Sequence, residues 1–124
     1  MSPALRAAQD WIKHNTTLLP GYSLNVSIME TKCDTGTALA GIANALRGSS
    51  PPHLVAAMGC SGVAIEVHKM ALNLNLPIIA SAPGSGSLSS KKLFVRTVFN
   101  YDVSGKLGGL VAHSIGLRTV GGIS

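Results

Sequence analysis

Apolar positions recur along the chain with two different rhythms, and each change of rhythm marks a boundary between elements. Leu54-Val55-Ala56-Ala57-Met58 is an unbroken apolar run, of the length expected for a strand buried on both faces. Gly59-Cys60-Ser61-Gly62 interrupts it with small residues. Val63, Val67, Met70, Ala71 and Leu74 then recur at steps of three and four, with Gly62, Glu66, Lys69 and Asn73 on the opposite side. This predicts an amphipathic helix that ends near Asn73 to Asn75, ahead of Pro77. Pro77-Ile78-Ile79-Ala80-Ser81 is a second apolar run, followed by the glycine-rich Ala82-Pro83-Gly84-Ser85-Gly86-Ser87. Strand, turn, helix and strand make one βαβ unit, whose strands lie parallel across a right-handed crossover.

The flanking segments extend the alternation. Ser2-Pro3 reads as a helix start, followed by a face of Leu5, Ala8, Trp11 and Ile12, with Arg6 and Asp10 four apart on the other side. Trp11 is expected in the core. Leu18-Leu19-Pro20-Gly21 is a turn, and the strict alternation from Tyr22 to Met29 predicts a half-exposed strand near a sheet edge. A second helix starts at Cys33-Asp34-Thr35-Gly36, with Asp34 or Thr35 as its cap and Leu39, Ile42, Ala43 and Leu46 as its buried stripe. After a polar connector, Leu93 to Val98 reads as a strand. Val103, Leu107, Leu110, Val111 and Ile115 mark a last helix, weakened by Gly105, Gly108 and Gly109. Leu117 to Ile123 is a candidate final strand. The fold class is therefore α/β, with a parallel sheet. Such domains usually begin with the strand that becomes central. Here a helix comes first and the chain stops as a strand begins, so the first strand is expected to be missing and both ends to be cut.

Composition narrows the class. The 124 residues make one domain at most, and 46% hydrophobic against 12% charged residues supplies a packed core. Aromatics are only 4%, so that core rests on aliphatic residues. The formal charge of +5 is scattered, and its one cluster, Lys91-Lys92 with Arg96, lacks interleaved aromatics. This is a solvated surface, not a nucleic-acid footprint. No apolar stretch approaches the roughly 18 residues that span a bilayer. Cys33 and Cys60 fit either one disulfide or two unrelated thiols. Asn15-Thr16-Thr17 and Asn25-Val26-Ser27 are glycosylation acceptors if the chain is secreted, at Asn15 and Asn25.

The candidate chemistry sits at the first turn of the βαβ unit. Ligands of open parallel sheets collect at the carboxyl ends of the strands, and Ser61 lies at such an end. The helix that starts there has first-turn amides without intrahelical partners, and together with a hydroxyl they favour an anion such as a carboxylate. A plainer reading is that Ser61 only caps its helix. Other constellations fall short. Gly59-Cys60-Ser61-Gly62 misplaces a glycine for a nucleophile elbow, and Gly84 to Lys91 lacks the Gly-Lys-Ser/Thr ending of a phosphate loop. His14, His53, His68 and His113 have no local partner, and His68 reads as a surface residue. No catalytic residue, metal site or cofactor is predicted.

Four segments, taken in order, resemble the receptor ligand-binding region: Cys33-Asp34-Thr35-Gly36, Met58-Gly59-Cys60-Ser61-Gly62-Val63, Leu76-Pro77-Ile78-Ile79 and Phe94-Val95-Arg96-Thr97. This is the periplasmic-binding-protein type I fold of class C G-protein-coupled receptors and natriuretic-peptide-type receptor guanylate cyclases. The Lys-Cys-Asp and Gly-Cys-Ser pair looks closest to the metabotropic GABA-B receptor branch. The resemblance implies that residues 1–100 are part of the first of two lobes and that 101–124 cross into the second. It implies a disulfide between Cys33 and Cys60, and hence an extracellular position at the cell membrane. The residue matching Ser61 contacts a ligand carboxylate in the amino-acid-binding branch, which places ligand contacts at Ser61 and Gly62 and, on the second loop, at Gly84 and Ser85. That loop departs from the family pattern, with Pro83-Gly84 where consecutive hydroxyl residues are usual. The expected ligand is small and amino-acid-like or otherwise anionic. The partners implied are a second lobe, a membrane-spanning region of the same receptor and a receptor dimer. Two other readings compete: a soluble α/β enzyme or cofactor domain using the same crevice, which free thiols and turnover would favour, and an incomplete gene product that does not fold alone.

Overall fold

The first helix, α1 (Pro3–His14), belongs to a unit that runs to Glu30, and the remaining elements belong to a second unit from Thr31 onward. A computed structural model describes residues 3–119 of both. In the first unit, Leu5, Gln9 and Ile12 form the half-buried line of α1, and no residue of the helix is fully buried. Trp11, expected in the core, is 61% exposed. It lies one step of about 100° around the helix from Ile12, which takes it off that line. Ser2 lies outside the described residues. Tyr22 to Met29, expected as a strand, forms none. Its alternation is real, but a strand exists only when a neighbouring backbone closes its ladder. Here Leu24 offers its carbonyl to the Gln9 side chain at 3.3 Å instead, and Tyr22, Leu24, Ile28 and Met29 are exposed.

The second unit is built on the predicted βαβ motif. Helix α2 (Thr35–Arg47) is capped by Asp34, whose carboxylate accepts the Thr37 amide at 2.7 Å. Strand β1 (Val55–Met58) leads to α3 (Ser61–Asn73), then β2 (Ile78–Ala80), a short 3-10 turn (Gly86–Leu88), β3 (Phe94–Arg96) and α4 (Tyr101–Ser114). The sheet is parallel in the order β1-β2-β3. Val55 pairs with Ile78 and Met58 with Ala80, Ile78 pairs with Phe94, and the β1–β2 register slips between Ala56 and Met58. Beyond that slip the Met58 carbonyl accepts the Ser81 and Ala82 amides at 3.3 and 3.2 Å, which holds the end of β1 against the start of the next loop.

The core lies between α2, α3 and the sheet: Ala38 and Ile42 from α2, Val63, Val67 and Ala71 from α3, with Leu76, Ile78 and Ala80. Helix α3 stops by a Schellman motif. Asn75 adopts φ +53°, its amide reaches the Leu72 carbonyl at 3.2 Å, and the Leu76 amide reaches Ala71 at 2.8 Å. Those bonds turn Leu76 back into the core just before β2. His68, read as a surface residue, is buried. Its Nε2 lies 2.9 Å from the Lys92 carbonyl and its ring meets Phe94 edge-on at 5.9 Å, so the connector before β3 covers this flank of α3. Helix α4 ends in the same motif around Gly116 (φ +82°). Its apolar positions Val103, Leu107, Leu110, Val111 and Ile115 are exposed and only Ala112 is buried. The candidate final strand is absent over residues 117–119, and the rest of it, residues 120–123, lies outside the described residues.

Candidate functional site

The loop between β2 and the 3-10 turn meets the N-terminus of α3 at one point. The Ser61 Oγ accepts the Ser85 amide at 3.3 Å. Ser61 is the first helical residue and not the cap. The cap is Cys60, whose side chain makes no cap hydrogen bond because its sulfur is bonded to Cys33. The Cα atoms of the two cysteines are 5.7 Å apart, and the bridge pins the residue before Asp34 to the residue before Ser61. Helices α2 and α3 therefore start side by side. With one of its two lone pairs engaged by Ser85, the Ser61 hydroxyl donates to no group among the described residues, and the cap leaves the first-turn amides of α3 without a side-chain acceptor. Gly62 is exposed at the same turn.

The four predicted contact residues are divided between this turn and the facing loop. Ser61 and Gly62 share the turn, and Ser85 touches it through its amide. Gly84 is buried, with its outer face covered by the Tyr101 ring, and a Cβ there would collide with that ring. The Tyr101 amide also donates to the Gly84 carbonyl at 2.7 Å.

Four residues around the loop were not anticipated. Arg96, at the end of β3, donates to the Ser85 carbonyl at 2.8 Å and to the Ser89 Oγ at 2.6 Å. Asn100 donates to the same Ser89 hydroxyl at 3.3 Å and accepts the Val103 amide at 3.0 Å as the cap of α4. Tyr101 covers Gly84, and the Asp102 carboxylate occupies the space a side chain at Gly86 would need. Arg96 had a signal in the sequence as the one charge inside an apolar strand, and Asn100 had one as an N-cap residue ahead of a helix. The electrostatics follow from these placements. Glu66 and Lys69 pair with each other at 2.7 Å on the exposed side of α3, whereas the Arg96 guanidinium is spent on the loop backbone and Ser89. An anion at Ser61 would rest on a hydroxyl and backbone amides. Among the described residues, no three of His, Cys, Asp and Glu converge as metal ligands.

A parallel three-stranded α/β unit, with an open helix N-terminus and a facing loop at the carboxyl end of its first strand, is consistent with an α/β ligand-binding domain of the periplasmic-binding-protein kind. The family model described as the receptor family ligand binding region matches residues 1–106, and the chain belongs to that family. Ligand-binding regions of this family are generally extracellular and generally not enzymes. A comparison with curated proteins found no match.

Proposed function

We propose that the chain senses a small anionic ligand as part of a cell-surface receptor, with Ser61 and the first amides of α3 receiving the anionic group. The observation that carries this reading is the hydrogen bond from Ser85 to Ser61. It fixes the hydroxyl as an acceptor within the protein and leaves its proton for a ligand, at a helix terminus that favours negative charge. The Cys33–Cys60 bridge supports an extracellular setting over an intracellular enzyme, because disulfides persist in oxidising compartments. In that setting Asn25, which is exposed, and Asn15, whose Oδ1 accepts the Thr17 hydroxyl at 2.6 Å, are glycan acceptors. A second lobe, a membrane-spanning region and a receptor dimer complete the proposed assembly. The ligand class is an amino acid or a similar small carboxylate, in a site that draws fewer hydroxyls from its second loop because Pro83 and Gly84 occupy that loop.

The test is a titration of the chain with glycine, L-glutamate and γ-aminobutyrate, followed through backbone amide resonances. Shifts at Ser61, Gly62 and Ser85 are expected with at least one probe. Ser61→Ala should weaken that binding by roughly ten- to hundredfold, the cost of one hydrogen bond to a charged group. Because Cys60 and not Ser61 is the cap, the same change should cost stability only the bond to the Ser85 amide, about 1 kcal/mol, a small fall in melting temperature beside the loss of affinity. Equal affinity in the two proteins, or no shift at these amides with any probe, removes the ligand role.

A further inference from the structure

The segment from Pro83 to Ser89 is fastened to the start of α4 at four separate places. The Tyr101 amide holds the Gly84 carbonyl, and the Tyr101 ring lies on the Gly84 Cα. The Asp102 carboxylate lies against Gly86, and Asn100 reaches Ser89. Asn100 has a double duty, since its oxygen caps α4 through Val103 while its nitrogen bonds the loop. Arg96 joins this assembly to the site. One guanidinium nitrogen holds the Ser85 carbonyl, the other holds the Ser89 hydroxyl that Asn100 shares, and on the opposite side of Ser85 the amide holds Ser61.

We propose that Arg96 is a positioning residue that locks the Ser85 loop to the N-cap of α4, so that the presentation of Ser61 and the seating of α4 change together. The chain of contacts is Asn100 to Ser89, Ser89 to Arg96, Arg96 to Ser85, and Ser85 to Ser61. A planar guanidinium spans two acceptors at fixed geometry, which an ammonium does not. The regulatory meaning of the lock rests on the ligand reading above. Its existence does not.

Amide hydrogen exchange in the 124-residue chain, without ligand, tests it. Arg96→Ala and Ser89→Ala should each speed exchange roughly tenfold or more at the Ser85 amide, bonded to Ser61, and at the Val103 amide, bonded to Asn100. The Leu76 and Ile78 amides, which close the core end of α3 and the β2–β3 ladder, should keep the wild-type rate. The double variant should exceed neither single one at Val103, and Arg96→Lys, with one donor point in place of a fork, should restore Ser85 but not Val103. A uniform rise that includes Leu76 and Ile78, or a rise at Ser85 with Val103 unchanged, overturns the lock. Titration with γ-aminobutyrate, L-glutamate and glycine separates this from the ligand reading. The exchange pattern without binding to the wild-type chain upholds the lock and counts only against the ligand. Binding to wild type with the exchange pattern absent removes the lock alone.

Discussion

Asn75 gives the clearest case of a single residue setting the course of the chain. A left-handed backbone costs an L-residue about 1–2 kcal/mol, least for asparagine and nothing for glycine. Asn75 stands where α3 must stop and Leu76 must turn into the core. Asn75→Ala should lower stability by about 1 kcal/mol while Asn75→Gly should not, and chemical denaturation of the three proteins checks the ranking. The end of α3 was legible from the sequence because Pro77 and the asparagines mark a stop. His68 was not. Its position beside the polar face of α3 suggests solvent, and only the path of the connector through Lys92, 24 residues on, turns that flank inward. Trp11 failed in the opposite direction. The general preference of aromatic side chains for burial carries no information about which surface is there to cover this one.

At the scale of elements, α2 depends on its cap. Thr37, through its hydroxyl first and its amide second, holds the Asp34 carboxyl below the ordinary aspartate range. A carboxyl with a depressed folded value contributes its stabilisation above the unfolded value and loses it as pH falls through the folded one. Acid titration of the melting temperature should therefore show a decline below the ordinary aspartate range that Asp34→Asn flattens, since the amide caps without titrating. A cap of this kind is readable from sequence, as were the βαβ unit and the parallel pairing, because turn chemistry and apolar periodicity are local. The Tyr22–Met29 segment shows the limit. Alternation states which face of a strand would be apolar, but it carries no information about whether an edge is available to pair with it. The site divides the same way. Ser61 becomes a candidate from its place at a strand end, whereas Arg96, Asn100 and Tyr101 reach the loop from 7 to 17 residues downstream of their partners in it, through the packing of β3 and α4.

For the molecule as a whole, the Cys33–Cys60 bridge closes a sequence separation of 27 residues that contains α2 and β1. Removing it should cost the unit from Thr31 onward about 3 kcal/mol through loop-closure entropy in the unfolded chain. Thermal melts with and without reductant measure this. The Cys33→Ser/Cys60→Ser protein should melt like the reduced wild type and no longer respond to reductant. A melt that reductant leaves in place would show that the core of α2, α3 and β2 holds without the bridge. A different consequence follows from the Tyr101 ring on Gly84. Glycines 84 and 86 serve as sockets for the start of α4, so their importance lies in the atoms they lack. A mutational map that equates sensitivity with ligand contact would score both as binding residues. A side chain at either position intrudes on Tyr101 or Asp102 before it could touch a ligand, and the defect would belong to an inheritance pattern of paired sites: damage at the glycine, compensation at the aromatic or the acid opposite.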